Sequence, residues 1–233
     1  MRAGILQPSY LPWLGYFDQM AQSDVFVIYD DVQYDRDGWR NRNKIKTPQG
    51  WQWLTVPVTV KGKPDIRDVE VDNHAGWYQD HAKAIRQNYS RAPFFKDYVT
   101  EFEGAYRLGG WPKLINLNLH FLQCLKGILG IRTELVLAST LRCDNPDRVR
   151  RLIDLCRRLG ADEFLEGSSG RNYLAVDGEK LFAAEGITLQ YHDYQHPVYP
   201  QLYGPFLPFL SVIDLIFNCG PESLSILTHG RGK

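Results

Sequence analysis

The chain is short of every extreme that would assign a function by composition alone. Its 27 basic and 27 acidic residues cancel to a formal net charge of zero. The strongly basic surface needed for nonspecific nucleic-acid binding is therefore missing, although a local basic patch is still allowed. Four cysteines (Cys124, Cys143, Cys156, Cys219) are widely spaced, with no CxxC pair and no zinc-type spacing. Cys124 and Cys156 fall in apolar helical patterns and read as buried free thiols. No apolar run is long enough to span a bilayer, and the first residues enter a strand without the n-region and h-region of a secretory signal. No repeat, linker or low-complexity segment interrupts the chain. The expectation is a reduced, cytoplasmic protein with no membrane partner.

What is present is apolar and aromatic. With 44% hydrophobic residues in 233, the chain can bury a full core as one large domain, residues 1–233. Aromatic residues make up 13%, among them six Trp and thirteen Tyr, many beside Pro or Gly. Most belong to a compact core with aromatic corners, and some are candidates to line a site.

The element pattern predicts an α/β fold: a mostly parallel sheet with a Rossmann-like N-terminal βαβ unit and a helical insertion. Arg2 to Leu6 read as a strand, Gln7 to Pro12 as a proline-stiffened turn, and Trp13 to Ala21 as a helix. Val25 to Tyr29 form a continuous apolar strand of the buried parallel kind. Residues 35–49 are polar and basic, Trp51 to Val60 alternate as a strand broken at Pro57, and Ile66 to Val71 form a short strand. Three helical patterns over about 76–130 make the insertion. Later strands are expected at Thr133–Ala138, Glu163–Leu165 and Ile187–Tyr191. Helices are expected from Asp147 to Leu159 with Gly160 as C-cap, from Val176 to Glu185, and from Leu210 to Phe217.

Several polar clusters punctuate these elements. The turn QPSYLPWLG could turn backbone amides towards a phosphate or carboxylate, with Gly15 allowing close approach at the helix start. Asp30 and Asp31 close the second strand, where a carboxylate could hold an ammonium group, a ribose hydroxyl or Mg²⁺. Arg40, Arg42 and Lys44 alternate, so one face of an extended segment would carry all three and suit anionic groups. The loop EGSSGRNY offers amides, Ser169 and Arg171 to an anion. His192 and His196 are four apart, but Pro197 and Pro200 oppose the helix a metal pair would need, so no metal site is expected. His196 beside Tyr199 and Gln201 is better suited to act as a base.

The blocks QPSYLPWLGYF, SDVFVIYDDVQY, NRNKIKTPQGWQWLTVPV, GSSGRNYL and YQHPVYPQLYGPFLPFLSVIDLIFNCGPES resemble the WbqC-like family, in order and nearly end to end. Members often carry a histidine before the first Gln-Pro, where this chain has Leu6, so no role there transfers. The resemblance implies O-antigen or related biosynthesis and a glycine-type aminoacyl transferase. Its matching positions are Gln7, Tyr10, Trp13, Asp30, Asp31, Gln33, Arg42, Ser169, Tyr173, His196, Tyr199, Gln201 and Asn218. The reading that follows is a transferase joining an amino acid to an activated, phosphate-bearing or nucleotide-linked small-molecule acceptor. In it Asp30 or Asp31 holds the amine, His196 takes a proton, and Arg42 with Lys44 or Arg171 neutralises the acceptor. The opening also resembles nucleotidylyl transferases in architecture but lacks their HxGH, leaving a nucleotide with Mg²⁺ as an alternative cofactor reading. A non-catalytic sugar- or nucleotide-binding module and a homodimer interface are the remaining alternatives.

Overall fold

The computed structural model describes residues 1–107 and 110–229. Its first three elements are β1 (Arg2–Leu6), α1 (Leu14–Ala21) and β2 (Val25–Ile28). β1 and β2 pair in parallel, in the register Ala3↔Val25 to Leu6↔Ile28, which makes the expected βαβ unit. β2 is apolar throughout because both of its faces are covered. Phe26 and Ile28 join the core under α1, whereas Val25 and Val27, with Tyr29 just beyond the strand, join a second core on the opposite face.

The chain then forms the antiparallel hairpin of β3 (Arg42–Thr47) and β4 (Gly50–Thr55), and the small pair β5 (Val58–Thr59) and β6 (Glu70–Val71). Three helices follow, α2 (Trp77–Tyr89), α3 (Phe95–Arg107) and α4 (Leu114–Ile128), within the segment expected to be helical. Their buried side chains share one continuous core with α1 and β2. β7 (Glu134–Leu137), α5 (Ala138–Leu141), α6 (Arg148–Leu159), β8 (Glu163–Gly167), α7 (Arg171–Ala184) and β9 (Thr188–His192) complete the sheet region. The chain ends in α8 (Val212–Cys219) and α9 (Ser223–His229).

The main sheet has the order β7-β2-β1-β8-β9, with every neighbouring pair parallel. The chain moves outward from β1 to one edge, then returns and moves outward to the other. The order therefore reverses between β1 and β8. At such a reversal the connections leave in opposite directions and open a crevice beyond the carboxyl ends of the strands.

Local signals explain the boundaries of α6. Asp147 accepts the Arg150 amide at 2.8 Å as N-cap, and Gly160 (φ +69°) closes the helix as its own amide and that of Ala161 return to Arg157 and Cys156. Other expectations need correction. Of the run expected to be extended, Arg42 to Thr47 is strand and pairs along its whole length with β4, while Arg40 lies outside it. Ile66 to Val71 is not one strand: Ile66–Asp68 forms a 3₁₀ turn and only Glu70–Val71 is extended. α7 starts at Arg171, earlier than Val176, because the 3₁₀ turn Ser168–Gly170 feeds straight into it. All four cysteines are free, and Cys124 is only half-buried. No helix among the described residues is long and apolar enough to cross a membrane.

Candidate functional site

A cavity of about 350 Å³ opens beyond β1, lined by Leu6, Gln7, Ser9, Pro12, Trp13, Tyr16, Trp39, Arg40, Asn43 and Phe209. Its size lies within the range of small-molecule sites. Three distant segments meet there because the turn after β1 is pinned from several directions. Asn43 donates to the Leu11 carbonyl at 2.6 Å, and the Val212 amide donates to the Pro12 carbonyl at 2.9 Å. Leu11 (φ +44°) and Phe209 (φ +60°) both hold left-handed backbone, which costs a side-chain-bearing residue on the order of 1 kcal/mol or more. The pinning contacts hold Leu11 in that conformation. Gly15 does not bring a ligand close to the helix start, contrary to the sequence expectation. The Trp13 indole fills that space, and a Cβ at Gly15 would stand 2.3 Å from its ring.

The electrostatics of this cavity are unbalanced. Arg40 and Tyr16 line it, and the Arg40 Nε and Tyr16 hydroxyl are buried without hydrogen-bond partners. Burial pulls the Arg40 guanidinium below its ordinary value, partly offset by Tyr16, Asp35 and Tyr34. A guanidinium stays cationic at neutral pH all the same. Burial pushes the Tyr16 hydroxyl far up, so it remains a protonated donor. A buried donor without an acceptor costs about 1–3 kcal/mol, more when charged. An anion entering the cavity would remove that cost.

Of the residues expected in the site, Gln7 and Trp13 line the cavity. The proposed catalytic set does not converge there. Asp30 is buried and accepts from the amide and hydroxyl of Ser139, fixing the turn after β7. Asp31 faces Arg151 at 2.9 Å, on the α6 side of the sheet. Arg42 lies over the Trp53 ring and donates to the Asp37 carbonyl, and Lys44 lies over Trp51. His196 stacks on Trp13 and packs against Phe209, behind the cavity wall. Its Nδ1 meets the Pro197 carbonyl, and burial lowers its affinity for a proton.

The other expected residues are held by structure elsewhere. Tyr10 is wholly buried and bonded to His81 and Tyr106. Gln33 forms a bridge to Asp65. Ser169 is exposed in its 3₁₀ turn, Arg171 lies over Tyr191, and Tyr173 donates to Glu166. Tyr199 and Gln201 donate to Asp214, and Asn218 donates to the Asp214 carbonyl. The Nε2 of His192 lies 2.7 Å from buried Asp18. No group of three or more His, Cys, Asp or Glu suited to a metal occurs among the described residues.

Sequence reasoning missed Ser9, Tyr16, Trp39, Arg40, Asn43 and Phe209 as site residues. Arg40 stood in the right run, but extended alternation grouped it with Arg42 and Lys44. β3 begins only at Arg42, and the chain before it turns Arg40 inward. A wider, more open hollow of about 760 Å³ lies between the α5–α6 loop and α6. Arg157 there pairs with Glu185 and Asp154 accepts from Asn145, and the hollow lies away from the strand ends at the β1–β8 reversal, so it is the weaker candidate.

The protein Rv1507c of Mycobacterium tuberculosis, itself described as uncharacterized, is 39% identical over 234 residues that span 99% of each chain. No solved structure gives a significant match. The model of the WbqC-like protein family matches residues 7–226. The chain therefore belongs to the WbqC-like protein family.

Proposed function

We propose that the cavity beyond β1 is the active site of a transferase that joins an amine-bearing substrate, of the amino-acid kind, to an acceptor activated by an anionic leaving group. One observation carries this reading: Arg40 and Tyr16, whose Nε and hydroxyl are buried without hydrogen-bond partners, line a site at the carboxyl end of a central parallel strand. Among the described residues, those lining the cavity include no carboxylate and no imidazole. Such a lining suits stabilisation of negative charge better than removal of a proton. In the step envisaged, the amine nitrogen bonds to the activated carbon and the bond to the leaving group breaks. The leaving anion is received by Arg40 and Tyr16, and the amine's surplus proton passes to solvent. Preorganised donors of this kind supply the largest share of many rate enhancements.

Asp30, Asp31 and His196 are given no part in this step, because none of them is among the residues that line the cavity. Membership in the family supports a biosynthetic setting, and glycine remains the amino acid to try first. The test is calorimetric titration with inorganic phosphate and phosphorylated compounds, wild type against Arg40→Gln. Affinity is expected to fall about 100-fold, the loss typical of removing one charge-stabilising donor. Equal affinity in both proteins would remove Arg40, and this reading, from consideration.

A further inference from the structure

Arg40, Arg42 and Lys44 sit at alternate positions, and among the described residues none is ion-paired with a carboxylate within 4.0 Å. Arg42 and Lys44 are held by indoles instead. The Arg42 guanidinium carbon is 4.9 Å from the Trp53 ring centre, and Lys44 Nζ is 4.1 Å, 5.0 Å and 5.7 Å from those of Trp51, Trp53 and Trp39. A π face orients a cation without neutralising it, so both charges remain available. The Nε of Arg42, like that of Arg40, is buried without a partner. Trp39, Trp51 and Trp53 are exposed at 41%, 47% and 36%, far more than cores tolerate. Trp39 belongs to both places: it lines the cavity and packs on Trp53 with ring centres 5.1 Å apart. Trp39 therefore joins the cavity to the hairpin face, with Arg40 turned into the cavity and Arg42 and Lys44 on the hairpin beside the exposed rings.

We propose that this surface extends the site and takes a nucleoside diphosphate, free or as the activating group of the acceptor. Its phosphates lie along Arg40, Arg42 and Lys44, and its base lies against the exposed indoles. Three cations call for more than one negative charge, and exposed indoles call for a flat ring to cover them. Arg40 leads from the hairpin into the cavity, which suits a small molecule with a terminus. A continuous nucleic-acid strand would have to run past, and the net charge of zero does not favour one. The proposal rests on the anion-binding reading of the cavity and names its ligand class.

Calorimetry on the full chain decides it, with UDP, ADP, uridine, inorganic pyrophosphate and a thymidine oligonucleotide as probes. UDP or ADP is expected to bind at least tenfold more tightly than uridine or pyrophosphate. Lys44→Gln and Trp51→Ala each change an exposed or half-exposed residue, and each is expected to weaken the nucleotide at least tenfold. Trp51→Ala should leave pyrophosphate within twofold of wild type. No nucleoside diphosphate binding at millimolar concentration, or an oligonucleotide binding more tightly than either mononucleotide, overturns the proposal. If both hairpin variants keep wild-type nucleotide affinity while Arg40→Gln loses it, the extension falls and the cavity reading stands. If Arg40→Gln also binds pyrophosphate as wild type does, both fall.

Discussion

Two buried charges in this molecule, Asp214 and Arg40, are treated in opposite ways. Asp214 on α8 is fully buried, and its oxygens accept from Tyr89, Tyr199 and Gln201 at 2.8–2.9 Å. Gln201 in turn accepts from Lys46, itself 1% exposed, so a cation is joined to the carboxylate through one amide. Burial still pushes the Asp214 carboxyl up, but the three donors and Lys46 pull it back. Arg40 is partly buried, its guanidinium also held below its ordinary value by burial, and it has no such answer at Nε. The difference separates a charge used to close the fold from one left ready for a partner. Polar atoms left unsatisfied in a native protein call for a reason, and a ligand is a common one.

The comparison can be broken most severely at Asp214. Asp214→Ala leaves the Tyr89 and Tyr199 hydroxyls and the Gln201 amide without their acceptor, and should cost about 4 kcal/mol of unfolding free energy. Denaturant titration measures it, and a loss below about 1 kcal/mol would mean the network is ornamental. Arg40→Gln should do the reverse, costing nothing or stabilising the fold slightly in the same titration, because it deletes an unpaired buried cation.

A second contrast lies in pH. Burial lowers His81 from its ordinary value to about 4, although it is hydrogen-bonded to Tyr10. Between pH 6.5 and about 4 the unfolded chain takes up a proton there that the folded chain refuses, so stability falls as pH drops through that window. The full effect is about 3 kcal/mol from this group. His81→Gln should flatten the wild-type profile over the same range, and an unchanged slope would assign the acid sensitivity to other groups. Gly15→Ala should cost about 2 kcal/mol by driving the Trp13 ring from its seat. It should also weaken phosphate binding, since that ring walls the cavity, and a variant with wild-type stability would show that Trp13 moves freely.

The sheet was readable because its signals are local. Val25 to Tyr29 is apolar on both faces, and the Asp147 and Gly160 caps mark α6 without help from tertiary structure. The hairpin was hard to see because β3 carries Arg42, Asn43, Lys44 and Lys46, residues that look like a solvated loop. Only pairing with β4 and the burial of Ile45 make them a strand. The site was half legible for the same reason. Gln7 and Trp13 follow from the strand-end rule, which needs only β1 and its turn. Arg40 and Phe209 enter through contacts between residues far apart in the chain, and no spacing encodes those. Asp30 misled because a buried carboxylate at a strand end looks alike whether it awaits a substrate or holds a serine.

Trp13 and Trp39, two of the chain's six tryptophans, form part of the cavity wall. An occupant arriving there changes the polarity and the quenching around two emitting rings at once. The protein thus carries a built-in optical reporter of occupancy, and unlabelled compounds can be screened by its native ultraviolet emission before any reaction is known.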